Sequence, residues 1–197
     1  MRVLSSLNAV LFVFVMITVV AACFIGSTAL SASYIAKALV LQGTVGDQIV
    51  LWEIRFPRAM AAFSVGAALA ASGAAMQGLF RNPLADSGVL GVSACASLSA
   101  TVSIYYGLTQ ISVWILPTAA ILGALAATTL LAVANRFTHS VVTLLLIGVA
   151  LSSFAAAVMA LLLNLAPNPF SLSDMLNWSL GSVANRGLYD IGLVLPF

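Results

Sequence analysis

Residues Val141–Leu165 read VVTLLLIGVALSSFAAAVMALLLNL, and no charged side chain interrupts them. About 20 apolar residues cross a bilayer as a helix, so this run is long enough to span one. Runs of the same character lie at Leu7–Leu30, Ala59–Phe80, Gly88–Gly107 and Ser112–Asn135, and a further one opens at Ile191 and stops at Phe197. The expected fold class is therefore all-α: a polytopic transmembrane helix bundle with five complete spans and the start of a sixth. With no low-complexity linker or shift of composition, residues 1–197 read as a single transmembrane domain.

Composition leads to the same place. Of the 197 residues 62% are hydrophobic and only 6% are charged, and mean hydropathy is +1.16. A soluble domain carries about 25% charged residues to stay dispersed; this surface fits lipid as its solvent. A net charge of +2 does not suggest a nucleic-acid partner. Cys23 and Cys95 sit inside apolar runs without metal-ligand spacing, beside a single histidine, His139; they read as small buried hydrophobes, and no metal site is expected. Val20-Ala21-Ala22-Cys23 has the form of a lipoprotein cleavage box, but the apolar run continues through Phe24 and Ile25, as in a retained first helix. No serine, histidine and acid arrangement suggests catalysis. No glycine loop followed by Lys and Ser/Thr suggests ATP hydrolysis.

The few charges fall in the connections. On one side lie Arg2, Arg81 and Arg136, and on the other Lys37, Arg55, Arg58 and Arg186; the positive-inside rule decides nothing from that balance. Arg55-Phe56-Pro57-Arg58 reads as a connection just before the second span. Two arginines flanking a proline either anchor to lipid phosphate or dock an acidic partner. In the second span Gly66, Ala70, Gly73 and Gln77 share one helical face, a pattern that close helix packing uses and that a transport role also allows. Arg81-Asn82-Pro83-Leu84-Ala85-Asp86 forms a tight connection in which Pro83 ends one helix and Asp86 or Ser87 caps the next. In the fifth span Gly148, Ser152, Ala155 and Met159 share a face that serves as either a packing seam or the lining of a passage.

Several of these stretches carry a resemblance. Arg55-Phe56-Pro57-Arg58, the gapless string from Gly66 to Asp86 (GAALAASGAAMQGLFRNPLAD) and Leu90-Gly91-Val92-Ser93 are similar to the permease family of iron-siderophore, haem and cobalamin ABC importers. Leu146-Ile147-Gly148-Val149-Ala150-Leu151 and Trp178-Ser179-Leu180-Gly181-Ser182 add to it, so that it covers most of the chain from Gln48 onward. The resemblance implies about ten spans per subunit, pairing with a second permease subunit as a homodimer, and both termini in the cytoplasm. Cytoplasmic ATPase subunits would hydrolyse the ATP, with no cofactor held by this chain. A periplasmic or lipid-anchored binding protein would deliver the substrate to the inner membrane. It makes Arg55 and Arg58 docking points for acidic residues of that protein, and Gly148, Ser152, Ala155 and Met159 lining of the pathway. The family pattern has proline where Ser87 stands, and a Gly-Ala pair near Cys95-Ala96. Its ATPase-coupling loop follows the sixth span, so the chain is expected to be the amino-terminal part of such a permease, unable to transport alone. Iron chelate or haem is the expected cargo, with cobalamin the alternative. The competing expectation is a small standalone membrane protein, structural or channel-like.

Overall fold

A computed structural model describes residues 2–26, 45–83, 86, 88–138, 140–184, 187–188 and 192. The architecture is all-α, with no strand among the described residues. In chain order the helices are α1 (Arg2–Phe24), α2 (Val45–Ile49), a π-helical stretch (Val50–Arg55), α3 (Phe56–Phe80), α4 (Val92–Tyr105), a 3-10 turn (Leu108–Gln110), α5 (Ile115–Thr138), α6 (Val141–Asn164) and α7 (Pro169–Leu180). Four stretches are long and apolar enough to cross a membrane: Ser6–Phe24, Val50–Phe80, Ile115–Thr138 and Val141–Asn164. The chain forms two compact units, Met1–Ala68 with Val183–Phe197, and Leu69–Ser182.

In the first unit, α1 ends at Phe24 rather than Leu30; residues 27–30, like Lys37 and the onset of a span at Ile191, lie outside the described residues. The second span starts earlier than its apolar run. Helix runs without a break from Val45 through the π-helical stretch into α3, so Arg55 to Arg58 lie within helix and not in a connection. Pro57 is the reason for the π stretch. It has no amide to donate, and its ring crowds the carbonyl four residues back. Widening the preceding turn relieves that conflict; the Phe56 amide reaches the Leu51 carbonyl, five residues earlier. The rings of Trp52 and Phe56 meet across the turn at 5.3 Å.

In the second unit α4 is the hub, packed against α5, α6 and α7. Ala100, Thr101, Ser103 and Ile104 of α4 are buried. α5 offers it Gly123, Ala127 and Leu131, buried at a spacing of one helical turn. A side chain at Gly123 would collide with Ser99 and with the Cys95 carbonyl, so the two backbones are as close as glycine permits. The expected third span, Gly88–Gly107, is a 14-residue helix. Gly91 and Gly107, with φ of 76° and 67°, bound it in left-handed turns, which glycine adopts without strain. The stretch 166–190, expected to be a connection, contains α7. Its Asn168 side chain accepts from the Ser171 amide at 2.8 Å and Pro169 opens the helix, a start signal hidden among prolines and polar residues. Met175 of α7 is fully buried.

Side-chain hydroxyls on the outer faces turn inward onto their own helices. Thr18, Thr128 and Thr129 each donate to a backbone carbonyl three or four residues back, at 2.7–2.8 Å. That is the arrangement a lipid-facing hydroxyl needs, since hydrocarbon offers no partner.

Candidate functional site

α6 starts where Ser140 accepts from the Thr143 amide at 3.4 Å, the N-cap bond that its hydroxyl is suited to make. Leu144, Gly148 and Ala155 are buried, while Ser152 and Met159 are half-buried. The face carrying Gly148, Ser152, Ala155 and Met159 therefore turns into the second unit.

Two contacts define that face. At Gly148, a Cβ would stand 2.7 Å from the Leu90 Cα and 2.8 Å from the Val89 carbonyl oxygen. At Gly91, a Cβ would stand 2.9 Å from the Gly148 carbonyl oxygen and 3.2 Å from the Ser152 amide. The two glycines are thus reciprocal: each leaves the room that the other's backbone fills. Further along the face, the Ser179 hydroxyl of α7 donates to the Met159 sulfur at 3.8 Å and to the Met175 carbonyl at 2.7 Å. So Leu90–Ser93, Leu146–Leu151 and Trp178–Ser182, far apart in the chain, converge on one helix. The Gly91–Gly148 pairing and the Ser179–Met159 contact were not foreseen; the recurrence of glycine and serine in those strings was their only trace.

The face supplies shape and hydroxyls rather than titratable groups. Ser152 Oγ and, on α4, Thr101 Oγ1 are buried with no hydrogen-bond partner among the described residues. They contrast with the outward-facing threonines, all of which are satisfied.

The two arginines of the Arg-Phe-Pro-Arg motif part company. Arg55 is only 6% exposed. Its Nη1 donates to the Cys23 carbonyl at 3.1 Å and to the Phe24 carbonyl at 2.9 Å, which are carbonyls that the end of α1 leaves without helical partners. A cation there also complements the negative end of the helix dipole. Gly26 makes room: a Cβ on it would lie 2.8–3.0 Å from the guanidinium. Arg58 is exposed.

At the other end of α3, Arg81 has a φ of 48°. Its amide bonds to the Gly78 carbonyl and the Asn82 amide to the Gln77 carbonyl, the paired bonds of a Schellman cap, with Pro83 directly after it. Asp86 does not cap the next helix, which starts only at Val92 behind Gly91. It accepts from the Gly88 amide at 3.1 Å instead, building the turn that delivers Gly91 to Gly148. Ser87 lies outside the described residues. The small-residue face of α3 meets nothing: Gly66, Ala70 and Gln77 are exposed, and no atom lies within 4 Å of a Cβ placed on Gly66 or Gly73.

Comparison with known proteins gives consistent matches. The FecCD transport family matches residues 13–197. An uncharacterized ABC transporter permease protein of Bacillus subtilis, YvrB, is 41% identical over 153 residues, 75% of this chain and 43% of that protein. The vitamin B12 import system permease protein BtuC of Yersinia pseudotuberculosis is 37% identical over 149 residues, 75% of this chain and 44% of that protein. The chain thus spans less than half the length of these relatives. The solved inward-facing structure of an ABC transporter described as metal-chelate type superposes with a TM-score of 0.77 at 29% identity, covering 94% of this chain and 56% of that one.

Proposed function

The chain belongs to the FecCD transport family, and from that premise we propose that it is permease material of an ABC importer carrying a metal chelate across the cytoplasmic (inner) membrane. The observation that supports this most is the convergence on α6. The Leu90–Ser93 turn seats at Gly148 and α7 seats at Met159, so one helix face joins three segments of family-like sequence. A contact made by backbone and small side chains has no bulky knob to withdraw, which suits a helix that must shift against its neighbours. In this reading Gly148, Ser152, Ala155 and Met159 belong to the moving seam beside the pathway. The orphaned Ser152 hydroxyl is the group that changes partner when the seam moves. ATP hydrolysis belongs to separate ATPase subunits, and a second permease subunit completes the passage.

Docking of a substrate-binding protein falls to Arg58, because Arg55 is engaged with the end of α1. Arg55 then acts as a positioning residue, fixing the helix that carries Arg58. An exposed arginine of this kind steers an acidic partner more than it holds one. The face of Gly66, Ala70, Gly73 and Gln77, open here, is assigned to contact with other helices of the assembled permease.

An iron chelate or haem remains the leading cargo. The similarity to a vitamin B12 permease favours cobalamin as the second reading. Uptake decides between them. Cells stripped of their own importers would express the chain with its neighbouring genes intact, and receive labelled ferric siderophore, haem or cyanocobalamin. ATP-dependent accumulation of one chelate is expected. No accumulation of any, or accumulation that survives loss of the ATPase, would overturn the importer reading.

A further inference from the structure

The connection between α4 and α5 is unusual for a surface loop. No Asp, Glu, Lys, Arg or His occurs anywhere from Ser87 to Asn135. Its large side chains point outward: Tyr106 is 69% exposed, Ile111 75% and Val113 80%, with Trp114 exposed beside them. In water this would be a contiguous apolar patch of the kind that marks an interaction surface.

The backbone of the same segment is closed on itself. The Tyr106 and Gly107 amides donate to the Val102 and Ile104 carbonyls, and those of Gln110 and Ile111 to Gly107 and Leu108. The Trp114 amide donates to the Ser112 hydroxyl and the Ile115 amide to the Ser112 carbonyl. A loop in water can leave such donors to solvent, whereas a segment in a water-poor layer must satisfy them internally.

Length locates the segment. The 14 residues of α4 rise about 21 Å, well short of the roughly 30 Å of a hydrocarbon core. The 24 residues of α5 rise about 36 Å, enough to cross with margin. The chain leaving α4 at Tyr105 is therefore still close to the hydrocarbon when it turns. Tyr105 and Tyr106 meet there edge to face at 5.2 Å, and Trp114 stands across the turn. Tyrosine and tryptophan are the side chains that gather where acyl chains meet headgroups.

We infer that residues 106–114 form a lipid seat, a folded connection sunk into the boundary between the acyl chains and headgroups of the bilayer. Its occupant is phospholipid. Ile111 and Val113 contact acyl chains, and Gln110 marks the polar side.

Trp114 is a built-in probe. Trp52→Phe with Trp178→Phe leaves it as the chain's one tryptophan. The chain would be reconstituted in phosphatidylcholine and phosphatidylglycerol vesicles, with bromines on the acyl chains either near the headgroups or near the bilayer centre. Shallow bromines should remove most of the emission, central bromines far less, and aqueous iodide little. Full quenching by iodide would place the segment in water, and indifference to every quencher would place it under protein. Strongest quenching by central bromines would place it in the core. Each of these overturns the proposal. If the double variant does not fold, the unaltered chain answers through a photoactivatable diazirine lipid. Adducts on Tyr106, Ile111 or Val113 are expected; adducts on α1 with none on 106–114 would overturn it.

Discussion

Arg55 spends its charge inside its own chain. Two carbonyls at the end of α1 accept from it, and bonds to a charged group are worth about 1.5–3 kcal/mol. Arg55→Ala should release the end of α1. Cys23, a free cysteine on the last turn of that helix, reports the release. In a Cys95→Ala background, its maleimide labelling in membranes should rise roughly tenfold for about 1.4 kcal/mol lost. Gly26→Ala should raise it less, since the crowded guanidinium can swing aside and keep one carbonyl. Arg58→Ala should leave it unchanged; equal labelling in all three variants would dismiss the cap. The sequence announced that the two arginines matter, but not that they differ. The distinction comes from one residue of helical phase beside Pro57, which a motif cannot display. Arg81 holds a left-handed backbone that costs a residue with a Cβ about 1–2 kcal/mol; the motif Arg-Asn-Pro conceals this, because glycine is the residue that usually marks such a cap.

At the scale of elements, α6 and the turn before α4 are held by the exchange of space between Gly91 and Gly148. An added methyl at Gly148 meets Leu90 and Val89 backbone, which cannot rotate away. Gly148→Ala should therefore destabilise by about 1–3 kcal/mol. Gly91→Ala adds left-handed strain of about 1–2 kcal/mol to its own clash with the Gly148 carbonyl. Because the two residues share one contact, the double variant should cost less than the sum. Denaturant titration of the detergent-solubilised chain, followed by circular dichroism, measures all three; simple additivity would show that the glycines do not depend on each other. Helix positions at this scale were largely legible, since α5 and α6 follow their apolar runs to within a few residues. The misreadings have physical causes. α4 is shorter than its run because Gly91 and Gly107 adopt left-handed turns. The span into α3 is longer because a π turn absorbs Pro57, and α7 was passed over because its apolar face is only partial.

For the whole molecule, the open face of α3 bears on assembly. Gly66→Leu with Gly73→Leu adds bulk where this chain has no neighbour, and leucine favours helix over glycine by roughly 0.8–1 kcal/mol per site. The isolated chain should keep its helix content and melt no lower. Co-purification of an assembled permease, and uptake by it, should fall sharply. If assembly survives both leucines, the face belongs to lipid. That small residues line this face was plain from the sequence; what covers it was not, because a face is visible from one helix while its neighbour is not. The π turn has a consequence of its own. It adds one residue to a helical turn, so it acts as an angular offset between everything before Val50 and everything after Arg55. Deleting a single residue such as Ile54 would restore an ordinary turn and rotate one part against the other by about 100°. The orientation of Arg58 around its helix is therefore set by an insertion rather than by a side chain, and relatives could re-aim that arginine by changing length alone.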